Sequence, residues 1–176
     1  MKKKEKKKGC SCFDWTRLSR SPLTLLRQFI WNIQFAYQRI RYGFCERDVW
    51  DINQWFLYVI PAMLEDLREG HLDFPERLLS QENGTDAQIF FPEEKELESA
   101  SEKWEEILGQ MAFLFREANE YTCSRKNPYE NYFYLPSESP EHQQYRNERE
   151  KIWIYRNECL NKGLQMFQEW FWDLWG

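Results

Sequence analysis

Residues 37 to 51 read YQRIRYGFCERDVWD, and the way this stretch is parsed decides how the chain folds. Gly43 stops an apolar helix, as Gly just past a last helical turn usually does. Asp48 then opens a second helix as its N-cap, with Asp51 adding negative charge to the first turn. Tyr37, Gln38, Arg39, Arg41, Arg47, Asp48 and Asp51 crowd around Tyr42, Phe44 and Trp50. Polar and aromatic groups so dense at a junction between helices make either a hydrogen-bonded corner or a binding site.

Working back from the corner, Leu23, Leu26, Ile30, Ile33 and Tyr37 recur at helical spacing. Leu25, Phe29, Phe35, Ala36 and Ile40 widen the stripe, so this helix is expected to be covered on more than one side. Ser21-Pro22 reads as its N-cap and first helical residue. Before it, residues 1–20 read as a flexible basic arm. Residues 1–42 hold six Lys and five Arg against Glu5 and Asp14, a net +9, while the remainder holds 13 basic and 27 acidic residues, a net −14. A basic head on an acidic body suits an anionic partner. The arm offers weak, nonspecific contact with nucleic acid or an anionic membrane, and Cys10 and Cys12 beside the Lys run could carry lipid.

Working forward, the second helix runs from Asp48 to about Glu69. Its expected buried face is Ile52, Trp55, Phe56, Val59, Ile60, Met63, Leu64 and Leu67, with a kink at Pro61. Residues 70–98 lack periodicity and hold Pro75, Asn83-Gly84 and Pro92, with one short helix near Glu76 to Gln81. Ser99-Ala100-Ser101-Glu102 is a capping-box pattern opening a third helix with the stripe Trp104, Ile107, Leu108, Met111, Leu114, Phe115 and Ala118. Ser139-Pro140 starts a last, very long helix reaching about Trp175, with Trp153, Leu160, Leu164, Phe167, Phe171 and Leu174 on its inner face. Trp172 and Trp175 are expected to pack inward with the other large aromatics. The sum is an all-α fold, one helical bundle-like domain over 21–176 with four main helices.

Aromatics make up 18% of the chain, which excludes a disordered composition. Five Cys without framework spacing, and no secretory signal, point to reduced thiols and a cytoplasmic location. The longest apolar run, Trp55 to Leu64, is far short of the ~20 residues a membrane span needs. His71 and His142 lack metal-motif spacing, and no CxxC pair exists for zinc. No resident cofactor is expected.

Acid pairs are the remaining candidates for chemistry. Asp48-x-x-Asp51 opens the second helix and Glu117-x-x-Glu120 nears the end of the third. If those helices pack antiparallel, the four carboxylates share one end and could hold Mg²⁺ for a phosphate substrate, as in all-α nucleotide pyrophosphohydrolases. Parallel packing would put Glu102-x-x-Glu105 there instead. The candidate binding surface is Tyr37, Gln38, Arg39, Arg47, Asp48, Trp50 and Asp51 with Glu117, Asn119 and Glu120. Arg39 and Arg47 would meet an anion and Trp50 would stack.

YQRIRYGFCERDVWDI followed by IPAMLEDL resembles an uncharacterised family of small proteins carried by phages and prophages of Gram-positive bacteria. The likeness runs on through WEEILGQMAFLFREANEYTC and KNPYE to GLQMFQEWFWDLWG. HLDFPERLL stands where relatives tend to show a His-Gly-aromatic-Pro turn. The resemblance implies an accessory protein acting in the bacterial cytoplasm, in counter-defence or host takeover. Its expected mode is non-enzymatic binding of a host or phage macromolecule or a small anionic ligand. The alternatives are the metal-dependent pyrophosphohydrolase-like enzyme and a nucleic-acid-binding protein using the arm.

Overall fold

The computed structural model describes residues 22–71, 73–79 and 94–175. The basic arm, Cys10, Cys12, Ser21 and the Asn83-Gly84 and Pro92 turns lie outside the described residues. Among the described residues the chain is all-α, with no strand. Helix α1 spans Pro22–Tyr42, α2 Glu46–Trp50, α3 Ile52–Gly70, α4 Glu94–Ala118 and α5 Pro140–Trp170. Short 3-10 segments cover Glu130–Tyr134 and Phe171–Asp173. The expected middle helix is represented by residues 77–79. Among the described residues no helix is long and apolar enough to cross a membrane.

The chain divides between Val59 and Ile60, inside α3, into two compact units. In the first, α1 ends where Gly43 takes a positive φ of 79° and donates its amide to the Arg39 carbonyl at 2.9 Å. The helix after it differs from expectation. It starts at Glu46 with Cys45 as N-cap, and breaks at Asp51 before α3 begins. Asp48 is therefore the third helical residue rather than the cap. Its side chain still reaches back to the start, as a capping-box acid does. Helix α3 runs unbroken through Pro61, whose ring is fully buried. Leu57 and Leu64 are its buried apolar positions, whereas Ile52 and Met63 are exposed.

The second unit is built on α4 against α5. Helix α4 begins by Glu94, so Ser99 sits inside it and the capping box does not open it. Its stripe is as expected but for Ile107, which is half-buried: Trp104, Leu108, Met111, Leu114, Phe115 and Ala118 are buried, joined by Ala100 and Ala112. Helix α5 starts as read, Ser139 Oγ accepting the His142 amide at 3.1 Å with Pro140 at the first turn. Its inner face is the expected one only in part: Phe167 packs edge-on against Phe115 with ring centroids 6.0 Å apart, and Leu160 and Leu174 are half-buried. Tyr145, Cys159, Gly163 and Trp170 face inward, while Trp153, Leu164 and Phe171 are exposed. Gly163 permits the approach, since a Cβ there would lie 3.0 Å from Phe115 Cε1. Trp170 tilts against Trp104 with ring centroids 5.3 Å apart, and the Arg77 guanidinium covers Trp170 at 3.5 Å. Arg77 also pairs with Asp173 at 2.7 Å and donates to the Glu169 carbonyl. Trp172 and Trp175 depart from expectation and stand exposed, Trp172 at 85%.

Candidate functional site

The corner in the first unit is a closed polar network. Arg39 Nε donates to Asp48 Oδ2 at 3.0 Å, and its Nη2 pairs with Asp48 Oδ1. The Cys45 amide donates to Asp48 Oδ2 at 2.9 Å, and the Glu46 amide donates to Gln38 Oε1 at 2.8 Å. Two otherwise orphaned amides of α2's first turn are thus satisfied by side chains of α1 and α2. Burial pushes the Asp48 carboxyl upward, but the Arg39 guanidinium and the Cys45 amide outweigh it and hold its pKa below the ordinary value. Of the two arginines expected to meet an anion, Arg39 is thus engaged with Asp48. Arg47 and Asp51 lie at the exposed side of the corner. The aromatics face outward: Tyr37, Tyr42, Phe44 and Trp50 are all exposed, Trp50 at 86%.

Glu117, Asn119 and Glu120 belong to a second network, at the end of α4 in the other unit. The buried Glu117 carboxylate accepts the Ser124 amide at 3.0 Å, the Ser124 hydroxyl at 2.6 Å and the Tyr155 hydroxyl at 2.9 Å. Burial alone would raise its pKa; these donors outweigh burial and lower it. The same contact, together with burial, pushes the Tyr155 hydroxyl up to about 12. Burial likewise raises the Cys123 thiol. Asn119, fully buried, accepts the Tyr121 amide on Oδ1 at 2.9 Å and the Cys123 amide on its carbonyl at 2.8 Å. Arg156 Nε donates to the Ala118 carbonyl at 2.9 Å and Nη1 lies 3.5 Å from the exposed Glu120. These groups end α4, turn the chain and fasten it to α5. Sequence reading finds Glu117 and Asn119 but not Ser124, seven residues on in the turn, nor Tyr155 and Arg156, because α5 residues 38 positions away carry no local signal of the contact.

The four acids proposed as Mg²⁺ ligands fall into separate units, Asp48 and Asp51 in one, Glu117 and Glu120 in the other. Among the described residues no group of three or more His, Cys, Asp or Glu side chains could hold a metal ion. Glu117 has donors on both oxygens already. An open groove of about 630 Å³ between α4 and α5 is lined by Gln110, Leu114, Lys162, Gln165, Met166 and Glu169, none of them among the candidate binding or metal residues named from the sequence. No protein-family model, curated protein or solved structure matches this chain.

Proposed function

We propose that this protein is a phage- or prophage-encoded accessory protein that acts in the bacterial cytoplasm by binding rather than by catalysis. Its contact surface is the corner between α1 and α3, and its partner is a host or phage macromolecule. The observation that carries this reading is the orientation of the corner's side chains. The polar groups that chemistry would need, Gln38, Arg39 and Asp48, are hydrogen-bonded within the corner. Tyr37, Tyr42, Phe44 and Trp50 stand outward on that braced backbone. Rigidly held, exposed large aromatics are what interface hot spots are made of, since they bury much area at little entropic cost. The engagement of Arg39 by Asp48 favours a macromolecule over a small anion.

The test is affinity capture from an induced host culture, read by mass spectrometry, comparing the full chain with Trp50→Ala and with Trp172→Ala as a control at an equally exposed tryptophan of the second unit. The expected result is a specific protein retained by the parent and control chains and reduced tenfold or more by Trp50→Ala. Identical captures by all three would remove the corner from the interaction.

A further inference from the structure

Helix α1 is built inside out. Along one side Leu23, Leu26, Phe29, Ile30, Ile33 and Ile40 follow one another at helical spacing, and all are exposed, Leu23 at 74% and Ile40 at 86%. The opposite side carries Asn32, which is buried, and Gln28, Phe35 and Arg39, which are half-buried. A helix that turns Asn32 inward and a continuous isoleucine–leucine stripe outward has left its apolar face for something else to cover.

Charge says what that is. Between Pro22 and Tyr42 there are three arginines, Arg27, Arg39 and Arg41, and no acidic residue. Arg27 and Arg41 flank the stripe and are exposed. Immediately before the helix, the sequence adds six Lys and two Arg against Glu5 and Asp14. A stripe-to-stripe second copy would bring Arg27 and Arg41 of each chain together, four arginines with no acid from either helix to meet them. A surface that is apolar just beneath a negatively charged layer satisfies both properties at once. At 1.5 Å per residue α1 is roughly 31 Å long, and lying flat it sinks its stripe to the level of the acyl chains while its cations meet headgroups.

We infer that α1 is an interfacial anchor that lays its Leu23–Ile40 stripe into the surface of an anionic lipid bilayer. This does not rest on the corner as a protein-binding surface.

The test is co-sedimentation of the full chain with vesicles of phosphatidylglycerol and phosphatidylcholine in equal parts, and with vesicles of phosphatidylcholine alone. Ile30→Asp with Ile33→Asp breaks the stripe at exposed positions and leaves the Lys-rich segment intact. Circular dichroism and size-exclusion light scattering verify that the variant keeps its fold and mass. The expected result is binding to the anionic vesicles, at least tenfold weaker to neutral ones, and at least tenfold weaker for the double variant. Three results would overturn it: no binding to anionic vesicles, equal binding by the double variant, which assigns adsorption to the Lys-rich segment alone, or a parent dimer that the variant dissolves, which assigns the stripe to a second copy.

Discussion

Helices α1 and α4 carry the same kind of apolar stripe and meet opposite fates. In α4, Trp104, Leu108, Met111 and Phe115 are out of water, with Leu108 and Phe115 at zero exposure. In α1, Leu26, Phe29, Ile30 and Ile33 are about half exposed or more. Periodicity specifies a helix with one apolar side; it does not specify which side faces in. What separates the two is the partner. Helix α4 has α5, which offers Gly163 for close approach and Trp170 for Trp104 to pack on. In α1 the inward side is assigned by polar bonds, with Arg39 and Gln38 reaching the start of α2.

The contrast can be broken at its strongest point first. Phe115→Ala, which empties a fully buried ring site, is expected to cost about 3–5 kcal/mol of stability in urea unfolding, whereas Ile33→Ala in the exposed stripe of α1 is expected to stay within roughly 0.5 kcal/mol. Equal costs would mean that α1's stripe is as buried in solution as α4's. Glu117→Gln keeps the shape but weakens the bonds to Ser124 and Tyr155, and should lower stability by about 1–3 kcal/mol in the same measurement. Gly163→Ala should cost about 1–3 kcal/mol, because its Cβ meets the Phe115 ring in a packed interface.

Titration gives a smaller, graded effect with a fixed sign. Glu117 and Asp48 have folded-state pKa values below their ordinary 4.5 and 3.8, so the unfolded chain takes up protons first in acid. Their contribution to stability is present above those ordinary values and is lost as pH falls through the lower, folded-state ones. Tyr155 runs the other way: raised from 10.0 to about 12, it keeps its proton longer when folded. Its contribution is complete below pH 10 and fades as pH rises toward about 12. Urea midpoints across pH check both limbs, and Tyr155→Phe should flatten the alkaline one.

The readable parts of this fold are those where apolar spacing and turn chemistry coincide. The α4 stripe, the stop at Gly43 and the Ser139-Pro140 start all have local causes and are read correctly. The inner face of α5 is read only in part: Phe167 packs on Phe115 as expected, but Cys159 and Gly163 escape because they are small, while the conspicuous Trp153 and Leu164 point to water. Cys45 as an N-cap and the break at Asp51 escape because Cys is not a usual cap and Asp48 supplies the bond from within the helix. Among the candidate site residues, the corner's composition is plain in sequence, but its direction is not. Whether Arg39 faces a ligand or Asp48 depends on where Gly43 sends the chain.

Two indoles as near as Trp104 and Trp170, and inclined to one another, share their electronic excitation. The pair should give the folded chain an exciton couplet in circular dichroism, and thus an optical signature of the α4–α5 unit by itself. Watching that signal beside overall helicity during unfolding would tell whether the half containing α1 lets go first.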